Sequence, residues 1–183
     1  MYSQGVSEEI TGRAIAGKRD QIVLATKARF AMGSDTNAVG SSRRNLRAAC
    51  DASLRRLGID WIDLYQMHHI DRSTPWEEIW EAFSVLRQQG KVLYFGSSNF
   101  AGWHLAQAQE AARRLGMLGL ASEQSIYNLA VRTIELEVLP AAREYGIGVI
   151  EDLDQGYKPN GILMSTTRYA ELVSDEKIAL LRK

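Results

Sequence analysis

The chain has 183 residues, 45% of them apolar and 24% charged, which is enough for one substantial core and hardly for two, so one domain over 1–183 is expected. Basic and acidic residues number 22 each, so no overall field selects nucleic acid or an anionic membrane as a partner. The single cysteine, Cys50, excludes an intrachain disulfide, no apolar run approaches the ~18 residues of a membrane span, and Met-Tyr-Ser-Gln-Gly lacks the order of a signal peptide, so a cytoplasmic location is expected.

Ser7, followed by Glu8 and Glu9, reads as a helix start with acidic residues where the dipole favours them, and Gly17 closes a helix over about 7–17. Gln21 to Lys27 is a continuous apolar run ending on a cation, the pattern of a strand buried on both faces. Residues 31–41 form a polar loop. A helix begins near Ser42, with Leu46, Cys50, Leu54 and Leu57 on one stripe, and Gly58 ends it. Strand 61–68 follows, rich in aromatic and branched residues and ending on His68. Thr74 is the expected N-cap of the next helix, with Pro75 at its first position and Glu77 closing a capping box; Trp76, Ile79, Trp80, Phe83 and Leu86 make its buried stripe. Strand 91–97 runs into Gly96-Ser97-Ser98-Asn99. A helix over about 101–115, a strand over 120–127 carrying Glu123 and Gln124, a helix over 131–145 and a strand from Gly146 to Ile150 complete the regular part. Beyond it, Tyr157 to Gly161 reads as a turn, and a last helix is expected near Ser174.

Helix-strand alternation with buried strands argues for an α/β fold, a parallel sheet covered by helices. In a parallel βα barrel the C-terminal strand ends converge on one mouth, where polar groups read as catalytic. Four strands supply such groups here: Lys27, His68, Ser98 with Asn99, and Gln124, at separations of 41, 30 and 26 residues that suit βα units. Strand ends also meet solvent, which by itself accounts for polar residues. His68 and His69 are consecutive on an extended segment and point to opposite faces, so no metal site is expected, and His104 reads as a surface residue on its helix. Gly-x-Gly-x-x-Gly, Gly-Lys-Ser/Thr and Gly-x-Ser-x-Gly are all missing, against Rossmann, nucleotide-hydrolase and esterase sites. The strand ends alone leave open a lyase or isomerase using Lys27 as a Schiff base.

Tyr2 to Glu9, Ile22 to Lys27, Ser53 to Leu57, Asp60 to His68, Gly90 to Phe100 and Gln124 to Asn128 resemble, in order, segments of the aldo-keto reductase superfamily. The Asp-Leu-Tyr-Gln-x-His and Gly-x-Ser-Asn blocks carry most of that likeness. The resemblance implies a (β/α)8 TIM barrel, incomplete in this chain at about five parallel strands with flanking helices, and an NADP(H) cofactor across its mouth. It implies that Tyr2 is the general acid toward a small-molecule carbonyl substrate, with Lys27 and His68 beside its hydroxyl, and that Ser98, Asn99 and Gln124 bind the nicotinamide carboxamide. Three departures accompany it. The family's catalytic aspartate precedes the tyrosine and has no counterpart after Met1. The family's aromatic residue stacking on nicotinamide aligns with Asp152. Segment 151–183 is divergent, with Gln155 to Pro159 and Thr167 to Leu172 resembling family loops. The first two departures favour an alternative, a non-catalytic regulatory or interaction subunit on the same fold.

Overall fold

The computed structural model describes residues 2–32, 34, 35 and 37–152, the side chains of Tyr2, Ser3 and Asp152 excepted. The expected turn at 157–161, the helix near Ser174 and the two family-like segments within 153–183 lie outside the described residues. Helix α1 (Val6–Ile15) follows a 3-10 turn at Tyr2–Gly5, and Gly5, at φ 100°, turns the chain into it. Strand β1 spans Ala25–Ala28 and helix α2 Arg43–Leu57. In α2 the Ser42 hydroxyl accepts from Asn45 N at 3.2 Å, Gly58 closes the helix at φ 65°, and Leu46, Cys50, Leu54 and Leu57 are buried. Then come β2 (Ile62–Met67), α3 (Trp76–Gln88), β3 (Val92–Ser98), α4 (Gly102–Arg114), β4 (Leu120–Ile126), α5 (Val138–Tyr145) and β5 (Gly148–Asp152).

The five strands pair in parallel in the order β1-β2-β3-β4-β5, with helices returning each strand to the same end. The core lies between the sheet and the helices. Phe83 of α3 stacks on Phe95 of β3 with centroids 4.2 Å apart, Trp80 donates its Nε1–H to Ala108 O at 3.0 Å, and the Tyr65 hydroxyl donates to Leu46 O at 3.2 Å. The two buried polar handles are therefore satisfied within the apolar layer. No helix among the described residues is long and apolar enough to cross a membrane.

Helix α1 meets the end of α2 backbone to backbone. A Cβ on Gly12 would stand 2.2 Å from the Leu57 carbonyl oxygen. Gly12→Ala is expected to lower stability by about 1–3 kcal/mol, because the displaced helix outweighs alanine's roughly 1 kcal/mol advantage in propensity. Thermal unfolding checks this, and an unchanged or higher Tm contradicts the contact.

Several expectations are corrected. Strand β1 is four residues long and mostly half-buried, because it forms the sheet's edge among the described residues; 19–21 is a 3-10 turn, and Leu24 N donates to the Asp63 carboxylate at 2.8 Å. The Thr74 capping box does not form. The Asp71 carboxylate accepts from the Thr74 hydroxyl at 3.0 Å, and Glu77 instead pairs with Arg114 at 3.2 Å, so Pro75 becomes the N-cap. The helix expected over 131–145 is a 3-10 turn at Thr133–Glu135 followed by α5. Pro140 is the cause: it sits at the third position of α5, where no N–H is required, and would break a helix running through it. His104 is 3% exposed, against the expected surface position, with Trp103 at 3.7 Å and Phe100 at 5.9 Å between ring centroids.

Candidate active site

The register of the sheet decides which strand-end residues can act together. Lys27 of β1 pairs with Gln66 of β2, and Ser98, the last residue of β3, pairs with Gln124 of β4. His68 lies two residues beyond Gln66, its N–H donating to Ala28 O at 2.9 Å, so the strand alternation carries on to it. Met67 opposes Ser97, which places the next residues, His68 and Ser98, side by side. Lys27, His68, Ser98 and Gln124 therefore share one face and one end of the sheet. Strand spacing puts β1 and β3 about 10 Å apart. The backbone of Tyr2 belongs to the first 3-10 turn, and its side chain lies outside the described residues. His69 is exposed and its Nδ1 accepts from Ile70 N at 2.9 Å, apart from His68 as the alternation requires. Among the described residues no group of three or more His, Cys, Asp or Glu could hold a metal ion.

At the β1 end, Arg29 takes φ 110°, a left-handed conformation that turns the chain sharply out of the strand, and Phe30 then lies edge-on to His68 at 4.6 Å. A cavity of about 380 Å³ runs along the β1 edge between α1 and α2, lined by Glu8, Thr26 and Asn45 among others, and Lys27, Phe30 and His68 line its part nearest the strand end. Glu8 joins three elements at its rim, accepting from the Thr26 hydroxyl and from Arg56 Nε, each at 2.6 Å. Burial, and after it the Lys27 ammonium, hold the His68 imidazole down at about 4. His68 is thus neutral near pH 7, able to donate from one ring nitrogen and accept at the other.

Ser98, Asn99 and Gln124 do not line that cavity; they form a separate polar cluster on the neighbouring strands. Ser98 and Gln124 are 3% and 6% exposed. Asn99 adopts φ 57°, which asparagine tolerates better than most residues, and its N–H donates to Gln124 O at 2.9 Å while its Nδ2 donates to the Ser98 hydroxyl at 3.0 Å. Gln124 Oε1 is buried and meets no hydrogen-bond partner among the described residues. A buried amide oxygen in that condition costs on the order of 1–3 kcal/mol unless something donates to it. Together the three side chains offer donors and a waiting acceptor, a set that fits a primary carboxamide such as that of nicotinamide.

Glu123 is a residue of the site that strand-end spacing does not point to. It pairs with Ser97 in register, faces the helices rather than the mouth, and is fully buried. Its carboxylate accepts from Ser97 Oγ, from Phe100 N at 3.0 Å and from Ser125 Oγ at 2.8 Å. Burial pushes its carboxyl up to about 7 despite those three donors. The signal available was parity: an acidic residue on the face opposite Gln124, where a helix-facing apolar residue is the default.

A family model described as Aldo/keto reductase family matches residues 1–152. Among curated proteins, the chain is 50% identical over 154 residues to the uncharacterized oxidoreductase YrpG of Bacillus subtilis (strain 168), covering 80% of this chain and 47% of that protein. It is 36% identical over 170 residues to the versiconal hemiacetal acetate reductase of Aspergillus parasiticus, covering 82% of this chain and 49% of that one. It is 34% identical over 186 aligned residues to a probable voltage-gated potassium channel subunit beta of Arabidopsis thaliana, covering 98% and 55%. The chain spans about half the length of these curated relatives.

Proposed function

The chain belongs to the aldo/keto reductase family, and from that premise we propose that it serves the NADP(H)-dependent reduction of small aldehydes or ketones to alcohols. The observation that carries this reading is the buried, unsatisfied Gln124 Oε1 opposite Ser98, on the same face and end of the sheet as Lys27 and His68. In the proposal Ser98, Asn99 and Gln124 hold the nicotinamide carboxamide and so fix which face of the ring meets the substrate. When bound, the reduced nicotinamide supplies the hydride. Tyr2 gives its hydroxyl proton to the carbonyl oxygen. A phenol with an ordinary pKa near 10 is a poor donor at neutral pH, and the Lys27 ammonium favours the phenolate that remains. His68, neutral beside that ammonium, hydrogen-bonds the carbonyl oxygen without adding a second charge to the site. The single cysteine, buried and with its thiol pushed up to about 12 by burial, plays no part, and a cytoplasmic location belongs to the same proposal.

Fluorescence titration of the purified protein with NADPH tests the reading: saturable quenching is expected, and no binding contradicts it. A second reading, a regulatory subunit that binds no carbonyl, draws on the 34% identity to the protein named as a probable potassium channel subunit beta. NADPH binding without carbonyl-dependent NADPH oxidation would favour that second reading.

A further inference from the structure

We infer that Glu123 is the positioning residue that shapes the Ser98–Asn99 turn for a nicotinamide carboxamide, acting by the reach of its two oxygens from the helix side of the sheet. The inference rests on the reading above and extends it to a residue that touches neither cofactor nor substrate. The β3–α4 connection has to reverse direction within Asn99 and Phe100, and its backbone N–H groups need partners. Asn99 N is taken by Gln124 O and Phe100 N by Glu123, two consecutive residues of β4 gripping two consecutive residues of the turn. The second Glu123 oxygen accepts from Ser97 Oγ, fastening the end of β3 from beneath, and Ser125 Oγ donates to the first at 2.8 Å. Asn99 sits at φ 57°, in the left-handed region that asparagine tolerates, and the hydrogen bonds on either side of it fix the turn in that one conformation. Ser98 and Asn99, which present the carboxamide contacts, lie between the two residues that Glu123 holds, Ser97 and Phe100.

A carboxyl group at this place works by distance. Glutamine keeps an oxygen for Phe100 N and Ser125, and its amide can donate to Ser97 Oγ, whose own proton then turns to Ser122 O, already 3.4 Å away. Aspartate keeps the charge but falls short by one methylene.

The test compares Glu123→Gln and Glu123→Asp with wild type in their affinities for NADPH and for its 3-acetylpyridine analogue, which replaces the amide NH2 by a methyl group. Wild type is expected to prefer NADPH by roughly 3- to 10-fold, one hydrogen bond's worth. Glu123→Gln retains that ratio within about twofold, and Glu123→Asp brings it to near unity while circular dichroism and Tm show a folded protein. A general loss of stability would weaken both cofactors alike and leave the ratio intact. A Glu123→Asp protein with the wild-type ratio overturns the inference while sparing the reading it rests on, as does a Glu123→Gln protein that loses the ratio. Failure of wild type to bind NADPH overturns both.

Discussion

Replacing Lys27 with methionine is expected to lower kcat for carbonyl-dependent NADPH oxidation by about 10²- to 10⁴-fold while NADPH affinity stays within about twofold of wild type. Methionine keeps an unbranched stem in β1, so the register with Gln66 and the cavity wall persist and only the ammonium is lost. Without that charge the proposed phenol has nothing to favour its anion, and proton delivery to the carbonyl oxygen fails. Tyr2→Phe is expected to fall to a similar level, and the double variant hardly further, because the two act as one unit. The same substitution has a readout independent of turnover. Lys27 is the second cause, after burial, of the low His68 pKa, so the His68 imidazole in Lys27→Met is expected to titrate above its present value of about 4, part of the way toward 6.5. Steady-state kinetics and an NMR titration of the histidines check the two arms. Wild-type kcat in Lys27→Met contradicts the assigned role, and an unmoved His68 contradicts the geometry.

Glu123→Gln is expected to become more stable relative to wild type as pH rises. The Glu123 carboxyl stands at about 7 in the folded chain against an ordinary 4.5, so the folded state binds its proton more tightly than the unfolded one. Its stabilising contribution is complete below 4.5 and is lost as pH rises through about 7. At about 1.4 kcal/mol per pH unit the loss comes to about 3 kcal/mol. His68 works in the opposite sense, contributing stability above 6.5 that is lost as pH falls through about 4, and it is common to both proteins. The difference between wild type and Glu123→Gln therefore isolates the carboxyl. Urea unfolding of the pair is expected to show that difference shifting by about 3 kcal/mol in favour of the glutamine variant between about pH 4 and about pH 8. A difference independent of pH contradicts the buried, proton-holding carboxyl.

Much of this was legible in the residues, and the failures have specific causes. Helix α2 could be read end to end because Ser42, the stripe at Leu46, Cys50, Leu54 and Leu57, and Gly58 are all local signals. The strand rhythm and the strand-end placement of Lys27, His68, Ser98 and Gln124 followed from the βα alternation along the chain, whereas their common face needed the register between the strands. Strand β1 is shorter than its apolar run because such a run does not reveal that the ladder stops where Asp63 takes the Leu24 N–H. The spacing of Ile134, Val138 and Ala141 suits a helix over 131–145, and Pro140, tolerated only in a first turn, restricts it to Val138–Tyr145. His104 was misplaced although it keeps helical step with the buried Ala108 and Ala111, a stripe that polarity alone disguised. Glu123 went unassigned because its partners, Ser97, Phe100 and Ser125, lie on two strands and a turn whose meeting only the fold creates.

The central claim is that the Ser98, Asn99 and Gln124 cluster holds a nicotinamide carboxamide one way round before Lys27 and His68. The most direct measurement gives the protein a carbonyl substrate with NADPH deuterated on one or the other face of its C4, and follows the label into the alcohol. Transfer from one face only is the predicted result. Label arriving equally from both faces, or no transfer from either, would contradict it.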